Sequence, residues 1–206
     1  MSFKKNKYLI IRKAVSKDVT DFVNQYIFLK RHVITNLYMN DALRESNFHG
    51  TWNDPQVPGH FSCYSDYGGE TILNNLKPLI EKNTNLKILP TYSYLRVYTY
   101  GAYLKQHKDR PSCEISGTLN ISGDMWPIYM IKNKKRIDVE LSPGDLLLYK
   151  GAEIEHGRDE FKGNHCTQLF LHYVEENKKY KKYIYDQRKY IGFPKYIEIK
   201  KYRDLT

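Results

Sequence analysis

Leu95-Arg96-Val97-Tyr98-Thr99-Tyr100-Gly101, followed six residues beyond the glycine by His107-Lys108-Asp109, is the stretch on which the reading of this chain turns. Its first seven residues alternate in character and are rich in β-branched and aromatic types, the pattern of a strand that closes at a glycine. On a strand, residues i and i+2 share a face, so His107 and Asp109 can reach one ion while Lys108 faces away. His156, far downstream, supplies a third donor. Two imidazoles and one carboxylate cover one face of an octahedral ion and leave three positions open. That arrangement suits a non-haem Fe(II) that must bind a co-substrate and dioxygen together.

The sequence around this stretch points to a β-rich domain. Strands are predicted near 92–100, 103–109, 113–121, 126–131, 137–141, 145–149 and 167–174, with turns at Ser122-Gly123-Asp124 and Pro143-Gly144-Asp145. Short strands at close spacing imply a barrel. Upstream, Ser16 is a candidate N-cap for a helix near 17–37, and Ile72, Leu73, Leu76, Leu79 and Ile80 predict a second near 70–81, with Pro78 marking a kink or early stop. Between them, residues 40–69 are rich in Gly, Pro, Asn, Asp and aromatics. They read as an irregular connection, long enough to cover a substrate.

The ordered set Arg96-x-Tyr98-x-x-Gly101-x5-His107-x-Asp109, then Pro143-Gly144-Asp145, then His156, resembles the Fe(II)/2-oxoglutarate-dependent dioxygenases. The likeness is to the prolyl 4-hydroxylase-like branch and, in the first core strand, to the AlkB-type demethylases. It covers roughly residues 91–174. The resemblance implies a mainly β fold with flanking helices, a double-stranded β-helix or jelly-roll of the cupin-like kind. It implies His107, Asp109 and His156 as metal ligands and Fe(II), 2-oxoglutarate and O2 as the reacting set. Tyr98, nine residues before His107, stands where these families place a tyrosine in the 2-oxoglutarate pocket. The expected reaction is hydroxylation of an unactivated C–H bond of a peptide or protein side chain, with 2-oxoglutarate decarboxylated to succinate.

One departure matters. In most relatives an Arg or Lys about ten residues past the distal histidine pairs with the far carboxylate of 2-oxoglutarate, and here that position is Cys166. A buried carboxylate without a counter-charge is costly, so another base must serve. Arg96 is the first choice, since it shares strand parity with Tyr98 and its fork suits a carboxylate. Arg158 and Arg110 are the reserves, and Thr118 and Gln168 are expected on neighbouring inward positions.

The chain is 206 residues long and 41% hydrophobic, enough for one domain with a sizeable core. Three parts are expected: mainly helical support and loop over 1–90, the β-helix core over 91–174 and a basic Tyr- and Lys-rich extension over 175–206. Tyr8-Leu9-Ile10-Ile11 is too short for a signal or a membrane span, so a soluble cytoplasmic protein is expected. Cys63, Cys113 and Cys166 read as reduced thiols. Residues 178–206 hold ten Lys or Arg against three Asp or Glu, so they carry +7 of the net +10. Six tyrosines interleave with these bases, a pattern compatible with single-stranded nucleic acid or with a solvated extension.

Three alternatives stay open from sequence: an AlkB-like nucleic-acid demethylase, a cupin-like metal protein that does not use 2-oxoglutarate, and a non-catalytic binding module. The cupin motif wants His where Asp109 stands.

Overall fold

A computed structural model describes residues 3–176 and 179–193. The elements run α1 (Phe3–Asn6), β1 (Tyr8–Ile11), α2 (Lys17–Met39), β2 (Phe61–Tyr64), α3 (Tyr67–Thr84), β3 (Ile88–Thr99), β4 (Leu104–His107), β5 (Ile115–Gly123), β6 (Ile128–Lys132), β7 (Lys135–Val139), β8 (Leu146–Tyr149), β9 (Glu155–Arg158) and β10 (His165–Glu175). The strands form a six-stranded sheet, β1-β8-β5-β10-β3-β2, and a four-stranded sheet, β4-β9-β6-β7, with antiparallel pairing throughout. Two such facing sheets make a double-stranded β-helix.

The period-2 alternation of the strands decides what lies on each side of the large sheet. On β3, β5 and β10 the residues Leu95, Val97, Leu119, Leu169 and Leu171 face α2 and α3, packing with Val23, Ile27, Leu73 and Ile80 in one apolar cluster. Their neighbours, Tyr94, Arg96, Tyr98, Thr118 and Gln168, therefore face the opposite sheet. The helices are fixed where the sequence allows. Ser16 accepts from Val19 N to cap α2, and Asp66 accepts from the amides of Gly68 and Gly69 to cap α3.

The structure corrects several expectations. Pro78 does not stop α3, which runs from Tyr67 to Thr84. Pro78 and Asn74 both lie on the exposed side of the helix, so the Asn74 carbonyl that loses its amide partner faces water. The 1–90 region, mainly helix and loop, also supplies β1 and β2, the two edge strands of the large sheet. β9, which carries His156, is a strand not anticipated from its short polar sequence Glu-His-Gly-Arg. β7 begins at Lys135, because Asn133 and Lys134 both take positive φ and close a two-residue hairpin with β6.

The basic extension is partly built into the domain. Asp186 accepts from Tyr64 Oη (2.7 Å) and Arg110 Nη2 (2.9 Å), and Arg188 pairs with Glu70 (3.0 Å) and donates to Thr91 O (2.8 Å). Tyr196, Tyr202 and the rest of 194–206 lie outside the described residues. No helix among those described is long and apolar enough to cross a membrane.

Candidate metal centre

β4 and β9 are adjacent antiparallel strands with His107 opposite His156. Asp109 follows β4 by two residues and stays tied to the barrel through its amide, which donates to Gly151 O (2.9 Å). One Asp109 oxygen, Oδ1, lies 3.5 Å from Nε2 of His107 and 3.5 Å from Nε2 of His156. The three ligand atoms all lie within 4.8 Å of one another. Donors that share one ion at bond lengths of roughly 2.1 Å stand about 3 Å apart when cis, so the set needs only a small contraction to hold a divalent cation.

Both rings are set for that task. His107 Nδ1 bonds Lys105 O (2.8 Å) and His156 Nδ1 bonds Ile154 O (3.0 Å). A backbone carbonyl only accepts, so each Nδ1 carries the proton and each Nε2 presents a lone pair inward. The far oxygen of Asp109 accepts from Ser116 Oγ (2.5 Å), and Ser116 in turn meets His172 Nδ1 at 3.2 Å. Burial pushes the Asp109 carboxyl up, but when an Nε2 holds a proton, which an ion would displace, the two histidines hydrogen-bond Oδ1 and hold the carboxyl well below its ordinary value. Burial pushes the His172 ring down to about 4, so it is neutral and serves as a hydrogen-bonding prop. Gly151 is required by packing: a Cβ there would collide with Asp109 Oδ2, Ser116 Oγ and Cys113 O.

The side chains of His156 and Asp109 are 2% and 13% exposed, against 25% for His107, so the centre opens on the His107 side. There a cavity of about 330 Å3 begins, walled by Tyr92, Tyr94, Phe170, Lys108 and Arg110 and continuing inward to Arg96 and Tyr98. The segment between α2 and β2 reaches into it. Asp54 pairs with Arg96 Nη2 (3.0 Å) and accepts from Tyr94 Oη, while Gln56 Nε2 lies 2.9 Å from His107 Nε2. Gln56 must release that lone pair when an ion takes it. From sequence this segment is only an irregular connection. Its Asp54-x-Gln56 pair carries no local signal, because the partner Arg96 is 42 residues away in sequence.

Of the expected co-substrate residues, Arg96, Tyr98, Thr118, Arg158 and Gln168 are all buried within the barrel and face its interior. Arg110 stands at the mouth of the cavity, pairing with Asp186 and resting on the Tyr92 ring. The two interior guanidiniums differ. Arg96 has its counter-charge in Asp54. Arg158 donates Nη1 to the Trp126 carbonyl and lies over the Trp126 ring, but its Nε and Nη2 have no hydrogen-bond partner among the described residues. Gln168 Oε1 is buried and unpartnered as well, and Thr118 Oγ1 makes no well-formed hydrogen bond among the described residues, with only the Tyr149 hydroxyl beside it. Native interiors leave few such groups, so this cluster calls for a ligand. Cys166, at the usual basic position, is a buried thiol that accepts from Gln168 Nε2 (3.0 Å).

No protein-family model matches the sequence, and no curated protein is significantly similar to it. Solved structures do match in fold. A prolyl-4-hydroxylase from Pseudomonas putida aligns at TM-score 0.57 and 16% identity, over 82% of this chain and 92% of that one. HygX from Streptomyces hygroscopicus, solved with nickel and 2-oxoglutarate bound, aligns at TM-score 0.62 and 11% identity, over 85% of each chain. A prolyl hydroxylase from Trichoplax adhaerens in complex with a hypoxia inducible factor peptide fragment aligns at TM-score 0.60 and 13% identity, over 84% of this chain and 86% of that one. The double-stranded β-helix of this chain is therefore the fold of the 2-oxoglutarate and Fe(II) oxygenases.

Proposed function

We propose that this protein is a non-haem Fe(II)/2-oxoglutarate-dependent dioxygenase that hydroxylates a C–H bond of a peptide or protein side chain. The observation that carries the reading is a charge count inside the barrel. Arg96 and Arg158 bring two buried cations, and Asp54 neutralises the first. The second is left one negative charge short, beside Thr118 Oγ1 and the unpartnered Gln168 Oε1, on the same strand face as His156 and two residues further in. Two residues of strand advance about 7 Å. A short dicarboxylate would span that distance, with one end at the metal and the other at Arg158.

Fe(II) with 2-oxoglutarate and O2 supplies the oxidising power to replace hydrogen by hydroxyl, with succinate and CO2 as the other products. The protein's residues do the holding. His107, Asp109 and His156 would bind the ion, with Ser116 and the Lys105 and Ile154 carbonyls fixing their orientation. Arg158, helped by Thr118, Gln168 and Tyr98, would hold the far carboxylate, which makes Arg158 the anchor in preference to Arg96. Val57, Leu104 and Trp126 pack on Tyr98 and keep water from the inner end. Tyr92, Tyr94 and Phe170 line the approach from the mouth. The peptide substrate class draws on the prolyl hydroxylase structures of like fold.

The test is calorimetric titration of the Mn(II)-loaded protein with 2-oxoglutarate, paired with an assay for succinate under Fe(II). Binding that Arg158→Met weakens thirtyfold or more, with Mn(II) affinity unchanged, is the expected result. Absence of 2-oxoglutarate binding to the Mn(II) form would end the reading. A second reading, oxidative demethylation of nucleic acid, rests on the Lys- and Tyr-bearing segment 179–193 docked beside the mouth through Asp186 and Arg110. Turnover on a methylated oligonucleotide, with none on peptides, would favour it.

A further inference from the structure

α2 carries an apolar stripe that nothing in the described chain covers. Phe22, Leu29, Val33 and Leu37 are 67%, 64%, 45% and 36% exposed, and Tyr26 lies between the first two. At about 100° per residue these five side chains fall within an arc of roughly 80°, one face of the helix. Isolated exposed apolar residues are ordinary, but a continuous stripe along a 23-residue helix is not. Beside its N-terminal half, α2 and α3 enclose an apolar groove of about 400 Å3, walled by Val19, Phe22, Tyr26, Thr71 and Ile72. Beyond its C-terminal half project Leu37 and the 79% exposed Met39.

We infer that this face is a twofold interface between two copies of the chain, with the α2 helices antiparallel and Leu29 at the axis. The spacing is what selects a second copy as the occupant. Counting from Leu29, apolar side chains lie three and seven residues toward the N-terminus and four and eight toward the C-terminus. Reversing the helix about Leu29 therefore sets Val33 against Tyr26 and Leu37 against Phe22, and Leu37 of each copy reaches the groove of the other. The surface is its own complement, as a closed twofold interface requires.

Charge agrees with that orientation. An antiparallel pair opposes the two helix dipoles and keeps the Asp18 and Asp21 ends at opposite extremes, where a parallel pair would superimpose them. Contact along most of a helix about 34 Å long covers roughly 600 Å2 per copy. The total of about 1,200 Å2 is the lower end of what a specific dimer buries. The metal centre lies on the other face of the large sheet, so the interface leaves its mouth open.

Sedimentation of the full chain tests the inference, together with a disulfide probe. The native cysteines Cys63, Cys113 and Cys166 are buried and do not compete. Leu29→Cys should give a covalent dimer on mild oxidation, whereas Gln25→Cys, about 12 Å from its own mate in this register, should not. The double variant Phe22→Glu/Leu29→Glu should raise the dimer dissociation constant at least a hundredfold, with Mn(II) affinity unchanged. A wild-type chain that sediments as a monomer at about 100 μM would overturn the proposal. So would equal cross-linking of the two cysteine variants. A Leu29→Cys thiol shielded from maleimide in a monomer would also overturn it, by assigning the stripe to another occupant.

Discussion

The two faces of the six-stranded sheet are drawn from the same strands, one residue apart, and they are built to opposite rules. Leu95, Val97, Leu169 and Leu171 face the helices in an apolar cluster. Arg96, Tyr98, Gln168 and Thr118 face the barrel interior, which also receives Arg158 from the opposite sheet and holds several hydrogen-bonding atoms with no partner among the described residues. Burying an apolar side chain contributes roughly 1.5–3 kcal/mol, while a buried polar group left unpaired costs about 1–3 kcal/mol. The helix face therefore stabilises the domain, and the barrel face withdraws some of that stability through buried polar groups that the proposed co-substrate would satisfy. The same alternation that makes a sheet amphipathic here separates fold from chemistry.

The largest effect expected from breaking that division is at the metal. Asp109→Ala removes the only carboxylate of the ligand set, so Mn(II) or Co(II) affinity by calorimetry should fall about a hundredfold or more. The helix-facing cluster is untouched, so cooperative unfolding in urea should persist with an unchanged slope. Unfolding of the variant would show that the two faces are not separable.

Next in size is the contrast between the two arginines, where identical substitutions should have opposite consequences for the apoprotein. Arg96→Met strands the Asp54 carboxylate, which burial pushes up in pKa and the Arg96 guanidinium more than offsets, holding it below its ordinary value. Loss of one partner of such a pair should cost about 3–5 kcal/mol by urea denaturation. That cost should shrink as pH falls below about 4, because a carboxylate whose folded pKa is lowered lends stability only above its unfolded value and loses it as pH drops through the folded one. Arg158→Met removes a buried cation that has no counter-charge, so apoprotein stability should rise by about 1 kcal/mol or more. Its effect belongs to the ligand: 2-oxoglutarate affinity should fall thirtyfold or more. Equal destabilisation by both substitutions would mean that Arg158 has an ion-pair partner in the folded apoprotein.

Much of this division is legible in the sequence, and the rest is hidden for identifiable reasons. Strand alternation in 95–100 and 167–173 reveals both faces of β3 and β10, and the His-x-Asp step with a distant His points to three residues whose ligand atoms the fold brings within 4.8 Å of one another. β1 and β2 escape because four-residue strands at a sheet edge carry too little pattern. β9 escapes because His156 and Arg158 break the apolar rule of a core strand. The choice between Arg96 and Arg158 depends on Asp54, a loop residue whose contact spans 42 positions, and no local spacing encodes such a pair. Residues facing a ligand obey the ligand's chemistry, so hydrophobic periodicity is least informative there.

On the helix face the expected response is smaller in consequence, though not in energy. Leu169→Ala empties part of a closed apolar cluster and should cost about 2–4 kcal/mol in urea. Affinities for Mn(II) and 2-oxoglutarate, measured well below the unfolding transition, should stay within about twofold of wild type. A larger change would show that packing behind the sheet sets the geometry in front of it.

The smallest expected effect is also the sharpest test of what the barrel face is for. Thr118→Val keeps the shape of a β-branched side chain and deletes only the Oγ1, which makes no well-formed hydrogen bond among the described residues and has only the Tyr149 hydroxyl beside it. In an ordinary core, removing a hydroxyl loses a hydrogen bond and destabilises. Here the apoprotein should be unchanged or more stable by up to about 1 kcal/mol, since an unsatisfied buried group disappears. If the hydroxyl waits for the far carboxylate of 2-oxoglutarate, the cost should appear only with the ligand, as a loss of affinity of about three- to tenfold, the worth of one hydrogen bond to a charged group. Loss of stability without loss of affinity would place Thr118 in the fold's own hydrogen bonding and move the co-substrate pocket toward the Arg96 side of the barrel.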